Sequence, residues 1–166
     1  MNGQPLISHQ FQRFESAGGK EACIVLAEGD DTYFPFLPEW VTPLRNPEPD
    51  RGQFSSFQIG AKFLLDRPTT LAAFVLPVDI PAAQEECWRR LSLALTEGIC
   101  AALPTHQDRG GHPLLLKRDF LEALILLPPT ARLDHALHAL NKSQVARVPA
   151  CDPTVLANWN TPTSTL

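Results

Sequence analysis

The segment Thr70-Leu71-Ala72-Ala73-Phe74-Val75-Leu76-Pro77-Val78-Asp79-Ile80-Pro81 sets the architecture expected for the whole chain. From Leu71 to Leu76 it is apolar at every position, without the alternation of a half-exposed strand. A short strand of that kind is covered on both faces, as in a parallel sheet between helical layers. The run breaks at Asp79, and Pro81 opens a helical pattern; proline is favoured at a first helical position, where its missing N–H has no partner to lose. Asp79 is therefore expected at the carboxyl end of a central strand, just before a helix. That edge is where open α/β sheets bind ligands, and a carboxylate there can hold a cation on a phosphate. It can equally cap the helix that follows.

Upstream, Pro5 opens a helix with Ile7, Phe11 and Phe14 on one stripe, and Gly18-Gly19 ends it. Ala22–Ala27 is a second apolar strand. Asp30–Asp50 is proline-rich and irregular, with a short strand around Val41–Leu44. Arg51-Gly52-Gln53 leads into a helix carrying Phe54, Phe57, Ala61 and Leu64 on one side. Downstream, Ala82–Leu95 reads as a helix, Ile99–Leu103 as a buried strand and Thr105–Gly111 as a polar loop. Leu114–Leu116 is a strand, Asp119 can start the helix Phe120–Leu127, and Ala131–Leu140 is a further helix. Val145–Val148 is a last strand before a tail from Pro153 to Leu166. Strands alternating with helices of about three turns point to a three-layer α/β/α sandwich with a mainly parallel, Rossmann-like sheet. With no repeat and no linker, residues 1–166 read as one domain.

The totals exclude several classes of function. The net charge is −4, and no block of Lys and Arg marks a nucleic-acid footprint. No run of about 18 apolar residues exists to span a membrane, and no signal peptide follows Met1. The four cysteines, Cys23, Cys87, Cys100 and Cys151, lie far apart without a C-x-x-C pair, so zinc and a disulfide framework are not expected and a cytoplasmic protein is. His135 and His138 with Asp134 suggest a metal cluster, but they fall opposite Leu133, Leu137 and Leu140 and read as a solvated helix face. His106, Asp108 and Arg109 lie in a polar loop able to reach a substrate.

Three stretches taken together resemble the nucleotidyltransferases of molybdenum cofactor assembly, the MobA-like guanylyl- and cytidylyltransferases. They are Phe74-Val75-Leu76-Pro77-Val78-Asp79-Ile80-Pro81, Gly111-His112-Pro113-Leu114-Leu115-Leu116 and Asn158-Trp159-Asn160-Thr161-Pro162. Gly52-Gln53-Phe54-Ser55-Ser56 and Gly3-Gln4-Pro5-Leu6-Ile7 fall in the family's order. The family opens with a strand and a glycine-rich loop that wraps the nucleotide's phosphates. Met1 falls where that segment should have ended, so the first strand appears as missing from this sequence. Ala17-Gly18-Gly19-Lys20 does not replace it, because it follows a helix.

The resemblance implies transfer of GMP or CMP from GTP or CTP to a phosphorylated pterin, molybdopterin, with Mg²⁺. It assigns Asp79 to the metal, with Asn160 as a second contact. Asn46, Ser55, Ser56 and Asp79 would meet the nucleotide and its phosphates. His112, Pro113, Asn158 and Asn160 would shape the acceptor side. Other readings stay open: Asn158 and Asn160 can build a turn before Pro162, one of Ser55 and Ser56 can cap its helix, and His112 can simply satisfy a turn. Without the phosphate loop, weak or absent transfer is expected of the chain as it stands. The alternative is a non-catalytic relative serving as a cofactor-binding or molybdoenzyme-assembly module, its open sheet edge covered by dimerisation.

Overall fold

The structure, a computed structural model, describes residues 5–150 and 152–157. In chain order the elements are α1 (Leu6–Ser16), β1 (Ala22–Ala27), β2 (Val41–Asn46), α2 (Gln53–Leu65), β3 (Ala72–Val75) and α3 (Glu85–Ala94). There follow β4 (Ala101–His106), β5 (Arg109–Gly110), β6 (Leu114–Lys117), α4 (Arg118–Leu124), α5 (Leu133–Ala139) and β7 (Val145–Pro149). Short 3₁₀ turns punctuate them, the last at Pro153–Leu156. The expected α/β sandwich is what the chain adopts.

Strand alternation distributes the core between two helical layers. Ala73 of β3, Ala101 and Leu103 of β4, and Leu114 and Leu116 of β6 pack with Phe54 and Ala61 of α2 and Phe120 and Leu121 of α4. Their sequence neighbours Ala102 and Leu115 turn the other way, onto Ala83, Cys87 and Leu91 beside and in α3. Period-two side-chain direction makes this necessary for strands that are apolar at every position. A third cluster joins Ile7 and Phe11 of α1 to Ile24, Leu26 and Val41 of β1 and β2.

The sheet has two parts among the described residues. β1 pairs with β2 in parallel. β3, β6, β4 and β5 follow one another in a second part, where β7 also pairs with β4 in parallel. β6 runs antiparallel to both its neighbours. The expected strand is therefore shorter than Leu71–Leu76; among the described residues β3 pairs with β6 alone, and Leu71 is exposed.

Three element boundaries also move. Pro81 is not the first residue of a helix; α3 starts at Glu85, after an extended Ala82-Ala83-Gln84 segment. Asp119 lies inside the first turn of α4 instead of capping it, since Lys117 holds the N-cap position. The polar loop Thr105–Gly111 is a β-hairpin: β4 continues to His106, and Gln107 and Asp108 both take positive φ, the conformation of a tight two-residue turn. At the start of α2, Gly52 sits at φ 93°, which costs glycine least. No helix among the described residues is long and apolar enough to cross a membrane.

Candidate functional site

A cavity of about 2010 Å³ opens between β1 and β3. Its lining includes Arg51, Gly52, Ser56, Asp79, Gly111 and His112. Of the residues that the motifs singled out, Ser56, Asp79 and His112 line this cavity, whereas Asn46, Ser55 and Pro113 do not.

Asp79 lies in a turn that follows β3, half-buried. It does not cap the next helix, whose N-cap is Gln84, five positions further on. What fixes the turn is Gln10 of α1. Its amide Nε2 donates to the carbonyls of Pro77 (2.9 Å) and Ile80 (2.6 Å), one on each side of Asp79. Sequence reasoning missed Gln10, although its signal was present: a polar residue on the apolar stripe between Ile7 and Phe11. Gln10→Ala would leave the Ile80 carbonyl without this donor and remove one of the two on the Pro77 carbonyl, which keeps the N–H of Ile80. It is expected to cost about 2 kcal/mol and to loosen the Asp79 turn, measurable by chemical denaturation. An unchanged midpoint would show that the turn holds without α1.

Asn46, Ser55 and Ser56 form one network. The Asn46 side chain is buried; its Nδ2 donates to both serine hydroxyls at 2.9 Å, while Oδ1 accepts the N–H of Glu48. Ser55 Oγ donates to the Gly52 carbonyl at 2.7 Å, and α2 has no side-chain cap. Capping by either serine, one of the two expected roles, is therefore not what they do. Asn46 acts as a bracket for the two hydroxyls, and only Ser56 of the three faces the cavity.

His112 lies just ahead of β6 and is largely buried. Its Nδ1 has no partner among the described residues. Burial holds the imidazole below its ordinary pKa of 6.5, with the Val75 backbone and the Asp79 charge pulling the other way. The ring is thus neutral near pH 7, with Nδ1 left without a partner among the described residues. On acidification the unfolded chain takes up this proton before the folded one. Stability is therefore complete above about pH 6.5 and falls as pH drops through the lowered native value. Asp30 and Asp134 are held below 3.8, so they titrate outside this window. His112→Gln is expected to flatten the melting temperature between about pH 7 and about pH 5. An identical slope in both proteins would refute it.

Among the other expected candidates, His106 and Asp108 do not line the cavity, while Asp134 and His138 do. His106 Nδ1 contacts the Ala150 carbonyl at 3.1 Å, and the Asp108 carbonyl accepts from Arg147, so both belong to the hairpin's packing. Asp134 pairs with Arg132 and His138 contacts the Asp134 carbonyl; among the described residues no metal-holding group of three His, Cys, Asp or Glu exists. Burial pushes the Cys23 and Cys87 thiols up to about 11, which disfavours the thiolate in both. Asn158 and Asn160 lie outside the described residues.

The fold has close counterparts among solved structures. A nucleotidyl transferase from Methanothermobacter thermautotroptrophicus superposes with a TM-score of 0.75 at 20% identity, over 96% of this chain and 76% of that one. Rv0371c from Mycobacterium tuberculosis, in a complex with manganese, gives 0.71 at 15% identity, over 93% and 81%. A 4-diphosphocytidyl-2C-methyl-D-erythritol synthase gives 0.68 at 14% identity, over 95% and 83%. No curated protein matches the chain in sequence. The MobA-like NTP transferase domain matches residues 1–148, and the chain belongs to that family.

Proposed function

We propose that the chain holds the triphosphate of a nucleotide at the mouth between β1 and β3, as a Mg²⁺-dependent nucleotidyltransferase of molybdenum cofactor assembly. The observation that supports this reading is that Ser56, Asp79 and His112 line one cavity, with the Asp79 charge acting on His112. The donors present suit a hard cation that is completed by ligand oxygens and water: one carboxylate, one hydroxyl and no closed cage. Asp79 would hold that cation, with Asn160 as its second protein contact. Bound there, a divalent cation neutralises charge on the departing pyrophosphate.

The chain's own residues would do the positioning, which is most of what phosphoryl chemistry asks of a protein. Ser56 Oγ accepts from Asn46, so its own proton is available for a phosphate oxygen. Asn46 and Ser55 hold that hydroxyl in place. Gln10 fixes the backbone on both sides of Asp79. His112, neutral and with Nδ1 unpartnered, would orient the acceptor beside Pro113, Asn158 and Asn160. GTP or CTP as donor and molybdopterin as acceptor are the finer part of the proposal, carried by the motif resemblance. A second reading, nucleotide or cofactor binding without turnover, is favoured by one observation. Among the described residues, the strand edges beside the mouth have no partner, so few ordered backbone N–H groups converge on a phosphate there.

Titration calorimetry with GTP and with CTP, each with Mg²⁺, tests the binding. The expected dissociation constant is on the order of 10 μM, weakened about tenfold or more by Asp79→Ala. Equal binding by the variant, or none by the parent, would overturn the site. Pyrophosphate release on adding molybdopterin separates transfer from binding alone.

A further inference from the structure

We propose, on the reading of Asp79 as the cation contact, that Gln10 is its positioning residue and that α1, through this amide, sets how tightly the carboxylate holds a divalent ion. Gln10 is 5% exposed, between Ile7 and Phe11 on the buried stripe of α1. An amide in that place is costly to bury unless its polar atoms find partners. Its Nε2 donates across 67 and 70 positions of sequence to the carbonyls of Pro77, at 2.9 Å, and Ile80, at 2.6 Å. These carbonyls flank Asp79, so one nitrogen grips the backbone on both sides of the carboxylate.

The elements next to Asp79 in sequence leave this work to α1. The pairing of β3 with β6 ends at Val75 with Leu114, four residues before Asp79. α3 starts only at Glu85. Between them the turn is closed by the N–H of Ile80 on the Pro77 carbonyl, a longer bond of 3.2 Å. Gln10, by contrast, has a firm base. Ile7 and Phe11 pack with Ile24, Leu26 and Val41 of β1 and β2. Phe11 meets the Trp40 ring edge-on at 5.7 Å, and Phe14 packs on Trp88 of α3 at 5.7 Å. The helix is thus held independently of the turn, and the turn is held by the helix.

Support of this kind matters most where a protein offers few ligands. Hard octahedral cations are held through one or two carboxylates, with water and phosphate oxygens completing the shell. A carboxylate that is already aimed loses little freedom on binding, and one on a loose turn loses more. Partners that orient a metal ligand from outside typically change the affinity by about 10–100-fold when removed. Gln10 acts on the backbone around Asp79 and not on the carboxylate itself, which places its effect at the lower end of that range. The coupling is reciprocal: an ion on Asp79 stabilises the docked position of α1 by the same factor.

Mn²⁺ binding to the chain as it is, read from the electron paramagnetic resonance of the free ion, tests this without nucleotide. Gln10→Met fills the same volume without an N–H and is expected to weaken Mn²⁺ binding about tenfold. Phe11→Leu loosens the same helix but leaves the amide in place, and should leave the affinity nearly unchanged. Equal affinity in the parent and Gln10→Met, or equal weakening by Phe11→Leu, would overturn the proposal and leave the Asp79 site standing. No binding by the parent, or binding that Asp79→Ala does not reduce, would overturn that site and the proposal with it. Should Gln10→Met fail to fold, the parent gives a second readout. Saturating Mn²⁺ is expected to slow amide hydrogen exchange in Leu6–Ser16 about tenfold, and to have no such effect in Asp79→Ala. Unchanged exchange in the parent would overturn the coupling between α1 and the carboxylate.

Discussion

Gly111→Ala is expected to lower the midpoint of thermal unfolding by roughly 6–12 °C, the equivalent of about 3 kcal/mol in a domain of this size. A Cβ on Gly111 would lie 2.1 Å from the carbonyl oxygen of Val155 and 2.7 Å from its carbonyl carbon. Those are backbone atoms and cannot turn aside as a side-chain tip can. The same carbonyl accepts the N–H of His112 at 2.8 Å, while Gly111 donates its own N–H to Pro104. Relief therefore requires moving the Pro153–Leu156 turn outward, which breaks that hydrogen bond and withdraws Val155, 1% exposed, from the cluster under α3. Gly110 is the matched control. Its Cβ would meet only Leu103 Cδ1, at 2.8 Å, the free end of a side chain. Gly110→Ala should therefore cost far less. Differential scanning calorimetry on the pair decides the matter: equal melting temperatures would mean that the turn does not close over Gly111. The effect bears on function as well, because the same hydrogen bond sets the backbone of His112 at the cavity mouth.

The second large effect is expected at Leu116. Leu116→Ala should destabilise the fold by about 3–4 kcal/mol, lowering the melting temperature by roughly 6–16 °C. Leu116 is fully buried on β6, opposite Ala73 of β3 and Ala101 of β4, and it faces the α2 and α4 layer. It is covered by strands on both edges, so the surroundings cannot collapse to fill the space as they could beside the cavity. The control is Leu126→Ala, where the side chain is 83% exposed and the cost should be near zero. Urea denaturation reads both. A loss below about 1 kcal/mol at Leu116 would mean that this seam is loosely packed.

Much of the architecture was legible in the sequence because it rests on local signals. The apolar runs at Ala22–Ala27 and Leu114–Leu116, and the i, i+4, i+7 stripe of Ile7, Phe11 and Phe14, identify strands and helix directly. Asp79, Ser56 and His112 were legible as candidates through their motifs, and all three line one cavity. Element ends were less legible. Pro81 fits the first turn of a helix, yet α3 waits until Glu85. Gln10 gains from its position on α1, since bonding Pro77 and Ile80 keeps the intervening turn away from helix.

The remainder was decided by tertiary contacts, because it depends on which residues meet across the chain. No local pattern distinguishes β3, paired on one side among the described residues, from β6, paired on both; both are apolar runs, and only pairing separates them. Nor could spacing show that Asn46 would turn its amide onto Ser55 and Ser56, which converts an expected ligand contact into a bracket for the hydroxyl that faces the cavity. By itself the sequence determined the layers, the order of elements and the identity of the acidic residue at the strand end, since periodicity and motif are properties of neighbours along the chain. The position of that carboxylate and the neutral state of His112 beside it were decided only in three dimensions. Burial, hydrogen-bond completion and strand pairing are properties of neighbours in space.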